Sequence, residues 1–298
     1  MFGFSKTFSG LYIGAKVIRA VKGRMGTGRQ LAPAISGYAE QALPEGVLLP
    51  SYARQNIADM KKFKDILRLT LGTAGIMKGD ISVSIPEQVV KVSFLELKGV
   101  SAKREEVLKF IKWRAKKFLP YDPESAKIDY QVFGDRALAV FINGVVVADY
   151  EEALNDLSLR PGFVSIPSMN LFNLFAARFG DYKEFALISV MEDFFALMVI
   201  RNGAIDFYRS TEVGYLDDRL LQEINSSILF YTAENPDVAI KKVFLYAGTG
   251  DSDILATHLS DSTGMEVETM KLSEAVRGPG GVDIEPYGPA IAAAVGSR

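Results

Sequence analysis

The chain has 298 residues, 48% apolar and 23% charged, a balance that supports one large globular domain or two ordinary ones. Its 34 Lys and Arg against 36 Asp and Glu give a net charge of −2, which argues against a nucleic-acid coat, because phosphate binding draws on clustered surplus cations. With no cysteine and one histidine, His258, there is no basis for disulfides, thiolate catalysis, Cys-based zinc or a His-clustered metal site, and His258 reads as a surface residue on a helix.

The opening MFGFSKTFSG has one lysine and no continuous apolar region of the kind a signal peptide carries. LYIGAKVIRAVKG (Leu11 to Gly23) reads as two strands broken at Gly14. GRMGTGR (Gly23 to Arg29) lacks the Gly-Lys-Ser/Thr ending of a P-loop and reads as a hairpin tip, with a third strand over Gln30 to Ala39. After the proline-marked loop ALPEGVLLPS, residues Asn56 to Gly72 space Ile57, Met60, Phe63, Ile66, Leu67 and Leu71 as a helix does.

Asp80 to Val100 reads as two strands around Pro86. A helix follows Ser101, with Val107, Leu108, Ile111 and Ala115 inward and a basic run, Lys109, Lys112, Arg114, Lys116 and Lys117, read as its solvated face. Strands are expected over Lys127 to Gly134 and Arg136 to Gly144, with a third over VVVADY. The apolar runs Ala137 to Ala148 and Phe194 to Ile200 are too short to cross a membrane and read as buried strands. Pro161 to Gly180 reads as strand, proline turn and helix.

Three strands then recur at Phe185 to Val190, Phe194 to Arg201 and Ala204 to Arg209, with Asn202-Gly203 as a two-residue hairpin turn. A helix over Tyr215 to Thr232, a buried strand in KKVFLYAG, a helix over Ser252 to Thr263, a strand over Glu266 to Met270 and a helix over Tyr287 to Val295 close the chain.

Three strands followed by helices, twice over, resemble the layout of the actin, Hsp70 and sugar-kinase superfamily. The fold class implied is α/β: an actin-like (ribonuclease H-like) duplicated fold with an inserted small α+β subdomain. The expected boundaries are 1–79 for the start of the first lobe, 80–150 for the insert, 151–180 for the return and 181–298 for the second lobe. FIKWRAKKFLPYDPESAKIDYQVFG (Phe110 to Gly134) is similar to a segment of the PilM family, with Ala115, Lys117 to Pro120, Pro123 and Asp129 to Val132 carrying the match. SLRPGFVSIPSMNLFNLF and EINSSILFYTAENPDVAIKKVFLYAG resemble further PilM segments at the level of the fold.

PilM proteins are cytoplasmic, FtsA-related members of the type IV pilus machinery that grip the cytoplasmic tail of the inner-membrane protein PilN. The cytoplasmic part of GspL is a related fold. The resemblance therefore implies a cytoplasmic protein at the inner membrane, reaching the membrane only through a PilN-like partner. Other pilus platform proteins are further expected partners, nucleic acid is not, and self-association is left open. The expected peptide wall beside the insert is Val89, Val92, Phe94 and Trp113, with Trp113 alternatively packing its helix onto the sheet.

The family's first phosphate loop, G-I-D-I-G-S-S-S-V-K, aligns with Gly10 to Arg19. Gly10 and Gly14 are kept, Tyr12 stands at the acid, and Lys16 falls among the hydroxyl positions. A tyrosine, with an ordinary pKa of about 10, supplies no anionic oxygen near neutral pH. In the second loop Ser189 replaces the acid and Met191 the glycine, while Glu192 and Asp193 are displaced along the hairpin. The resemblance places Glu223, Gly248 and Gly250 on the nucleoside side. The expectation is a degenerate nucleotide cleft with no catalytic residue, no metal and no cofactor in a non-catalytic scaffold. Lys16 still offers a point charge for a weak or metal-free nucleotide contact, and the alternative is an ATP-binding or slowly ATP-hydrolysing pilus protein using Mg-ATP. A sugar or acetate kinase finds no motif for its catalytic acid.

Overall fold

The computed structural model describes residues 6–26, 32–215 and 217–296. The opening hairpin forms where Gly14 interrupts the apolar run: β1 (Thr7–Ile13) and β2 (Val17–Arg24) pair antiparallel, and the Gly14 N–H donates to the Val17 carbonyl at 2.8 Å. The strand expected from residue 30 is β3 (Ala34–Ala42). The hairpin tip expected over Gly23 to Arg29 lies partly outside the described residues. The chain continues through α1 (Met60–Thr73), β4 (Gly79–Ser84), β5 (Val90–Glu96), α2 (Arg104–Ala115), β6 (Ala126–Phe133), β7 (Arg136–Asn143), α3 (Gly144–Asn155), β8 (Leu159–Ser165) and α4 (Pro167–Leu174). The second half runs β9 (Glu184–Val190), β10 (Phe195–Arg201), β11 (Ala204–Thr211), α5 (Leu220–Glu234), β12 (Lys242–Ala247), α6 (Ser252–Thr263), β13 (Glu266–Thr269) and α7 (Gly288–Val295).

Two five-stranded sheets repeat one topology. The first has the order β3-β2-β1-β4-β8 and the second β11-β10-β9-β12-β13. In each, the first three strands are antiparallel and the last two join in parallel. The β10–β11 turn uses Asn202 and Gly203 at φ 51° and 77°, the left-handed geometry its sequence favours. Helices α1 and α3 cover the outer face of the first sheet, and α5 and α6 that of the second, each over a separate apolar core. A third core joins the lobes: Tyr12 and Val21 from the first pack in one cluster with Met191, Phe194 and Tyr246 from the second.

Three expectations need correction. VVVADY is helical, in α3, not a strand. The Asn143 side chain accepts a hydrogen bond from the Val145 N–H at 3.2 Å, capping a helix whose buried residues Val146, Tyr150, Ala153 and Leu154 follow helical spacing. Its β-branched valines imitate a strand only when read without the cap. The insert is narrower than 80–150, because β4 pairs with β1 in the first sheet and α3 belongs to that lobe's core. Strands β5, β7 and β6 form its own three-stranded sheet, covered by α2. The last helix, α7, assigned to the second lobe, packs on β1, β4 and α4 of the first.

Candidate functional site

Between the β1–β2 and β9–β10 hairpins lies an open cleft of about 1030 Å³. Its lining includes Lys16, Arg54 and Arg219, but also the carboxylates of Glu192, Asp193, Glu212, Asp217 and Asp218. At its floor the hairpins are tied together. Arg19, only 4% exposed, donates to Glu40 at 2.6 Å within its own sheet and to Glu192 across the cleft. Beside it the Ala15 N–H donates to Asp193 Oδ2 at 3.2 Å. A backbone donor of the first hairpin turn thus holds a carboxylate from the second. Burial pushes the Asp193 carboxyl up, the Ala15 N–H draws it partway back, and neighbouring Glu192 raises it again.

Most of the expected site residues have packing roles instead. Tyr12 is 1% exposed. Burial, then the nearby Asp193 and Glu192 carboxylates, push its phenol well above its ordinary range, so it stays neutral. A side chain on Gly14 would collide with the Tyr12 ring, and one on Gly10 with the Ala290 carbonyl of α7. Gly248 gives way to the Met191 thioether. Gly250, at φ 78°, lies under the Tyr215 ring, whose hydroxyl accepts from the Asp251 N–H at 2.8 Å. The glycines therefore leave room for the chain's own side chains. Ser189 is buried in β9, and Glu223 pairs with Arg209 at 3.2 Å on α5. Of the eight expected nucleotide-site residues, only Lys16 lines the open cleft.

These residues do not fit a metal-bound triphosphate. The acid position is a neutral phenol, carboxylates outnumber cations in the cleft, and the second loop's acid is turned onto Ala15. Among the described residues no group of three or more Asp, Glu or His side chains is placed to hold a metal ion.

A second concavity, a groove of about 790 Å³, runs between the small sheet and the first lobe. Its two sides include β6 and β8, each an edge strand of its sheet. Its floor is apolar: Leu138, Val140 and Ile142 of β7, Phe163 and Val164 of β8, and Phe172 of α4. The expected wall residues do not come together there. Val89 is fully buried in the first lobe's core, and Val92 and Phe94 pack toward the second lobe. Trp113 stands on the far side of the insert and is 55% exposed, so it does not pack α2 onto the sheet. Val107, Ile111 and Ala115 hold that inner face, and Trp113 projects from the opposite one. The sequence offered weak signals for the groove: alternating strands in Lys127 to Gly134, and Pro161, a residue that favours sheet edges.

No family model matches the chain, and no curated protein matches it. Among solved structures, it superposes on a chain of a PilM–PilN type IV pilus biogenesis complex with a TM-score of 0.78 and 17% identity, over 97% of this chain and 96% of that one. A Bacteroides thetaiotaomicron protein of actin-like ATPase fold and unknown function gives 0.56 and 12%, over 98% and 99%. The cytoplasmic domain of EpsL, an inner-membrane component of the Vibrio cholerae type II secretion system, gives 0.53 and 8%, over 97% and 94%. The chain has the actin-like fold.

Within that fold, the likeness to the chain of the pilus complex runs over nearly the whole three-dimensional trace. The actin-like cleft is recognisable by position, between β1–β2 and β9–β10. What the sequence did not show there is the tie across its floor, Arg19 to Glu192 and Ala15 to Asp193. His258 lies exposed on α6, as expected. Among the described residues no helix is long and apolar enough to cross a membrane.

Proposed function

We propose that this actin-like chain is a non-catalytic docking scaffold of a type IV pilus or related secretion assembly. It holds the cytoplasmic tail of a PilN-like inner-membrane protein in the groove between the insert and the first lobe. The observation that carries this reading is the pairing of an apolar floor with the edge strands β6 and β8. An extended peptide gains main-chain hydrogen bonds from a free strand edge and seats alternate side chains on such a floor. The likeness to a PilM–PilN complex supports a tail of that kind. The cleft, by contrast, is open but its two hairpins are tied at the floor by Arg19–Glu192 and Ala15–Asp193 and ringed by carboxylates, which favours docking over nucleotide turnover. The protein then works on the cytoplasmic side of the inner membrane, without cofactor or metal.

The test is calorimetric titration with a synthetic peptide of a PilN-like protein's cytoplasmic tail. Micromolar binding is expected. Val140→Glu and Val164→Arg are expected to weaken it at least about tenfold with the melting temperature unchanged, because both side chains reach solvent in the groove. Binding that survives both substitutions would remove the groove from the account.

A further inference from the structure

The outer face of α2 has no role in either concavity. Residues 103–117 carry seven Lys and Arg against two Glu, a net +5, in a chain whose total is −2 and whose remainder is therefore −7. Spacing along α2 gathers Lys109, Lys112, Trp113 and Lys116 around one shallow depression, which Glu105 and Glu124 also line. Trp113 is the chain's only tryptophan and more than half exposed. Phe110 lies beside it at 5.7 Å between ring centroids, and Lys117 Nζ sits 5.4 Å from its ring. Lys109 and Lys112 have acidic partners, Glu106 at 3.3 Å and Glu124 at 2.6 Å. Lys116 and Lys117 have no carboxylate partner among the described residues.

We propose that the α2 face, with Trp113 at its centre, is a contact surface for an anionic lipid bilayer. The surface is helical and carries an indole ringed by long cationic side chains. Such an indole settles at the level of lipid headgroups, while lysines keep their ammonium groups at the phosphates. Each basic side chain near an anionic leaflet adds electrostatic attraction. The rest of the chain is net negative, so the surplus positive charge of the protein is concentrated on this stretch. Nucleic acid fits less well, because the cations are confined to one short helix and a single exposed indole offers no run of stacking platforms. The proposal stands independently of the peptide groove, which lies on the other side of the small sheet. It adds a direct membrane contact to the partner-mediated one expected from the sequence.

The full chain carries its own probe, since all tryptophan emission comes from Trp113. Titration with vesicles of phosphatidylcholine mixed with phosphatidylglycerol is expected to shift that emission to the blue and to co-sediment the protein. High salt reverses both. Lys116→Glu with Lys117→Glu is expected to weaken sedimentation at least about tenfold, with the melting temperature unchanged. Equal behaviour with phosphatidylcholine alone, or no shift with either vesicle, overturns the proposal. Stronger binding to single-stranded DNA or polyglutamate than to the anionic vesicles overturns the assignment to lipid.

Discussion

Replacing Arg19 with methionine is expected to destabilise the protein by about 4 kcal/mol, the scale seen when one partner of a buried ion pair is removed. Arg19 keeps its place because Glu40 and Glu192 hold it: burial disfavours its charge, and the two carboxylates outweigh that penalty and raise its pKa. Methionine fills much of the same volume. It leaves Glu192, whose side chain is 24% exposed, facing the cleft without a cation and close to Asp193. The interlobe tie goes with it. Glu192→Gln on the Arg19→Met background is expected to recover part of the loss, since the stranded charge is gone. Denaturation midpoints of the two single variants and the double variant measure this. Additive losses would mean that the two residues do not act as a pair.

Glu87 gives the second large effect. It is fully buried, between Pro86 and the start of β5, and its carboxylate accepts from the Ser168 N–H at 3.1 Å, the Ser168 hydroxyl and the Tyr208 hydroxyl. Ser168 opens α4 in the first lobe, whereas Tyr208 belongs to β11 in the second, so one carboxylate joins both. Glu87→Ala strands three buried donors and is expected to cost about 3 kcal/mol. Tyr208→Phe removes a single donor and is expected to cost about 1 kcal/mol. Burial pushes the Glu87 carboxyl above its ordinary 4.5, while the Ser168 and Tyr208 donors draw it partway back. An acid raised on folding binds its proton more tightly in the folded chain. Its contribution is greatest below pH 4.5 and falls as pH rises through the raised value. Glu87→Gln is expected to flatten that decline. A pH profile parallel to that of the unsubstituted chain would take Glu87 out of it.

The duplicated strand sets were legible because each rests on local signals. Asn202-Gly203 names its hairpin, and Asp251 caps α6, accepting from the Asp253 and Ile254 N–H groups at 2.9 and 3.1 Å. Helix α3 was misread because valines favour strands and a single asparagine cap outweighs them. The tie across the cleft floor was hidden for a different reason. Arg19 and Glu192 are 173 positions apart, and nothing in either hairpin alone shows that they meet. The retained glycines misled in the opposite direction: the residues fit a nucleotide motif, but the space they leave is taken by Tyr12, Met191 and Tyr215. The groove was equally obscure, because its walls come from the edges of two sheets that the sequence does not place side by side.

The central proposal is that the Arg19–Glu192 and Ala15–Asp193 ties, with the surplus carboxylates around them, leave the cleft unable to hold a metal-bound triphosphate. Calorimetric titration of the full chain with Mg-ATP tests it most directly. No saturable heat is expected at micromolar ligand, because the Ala15 N–H is already engaged by Asp193 and carboxylates outnumber cations around the cleft. A micromolar isotherm that disappears when Mg is withheld would contradict it.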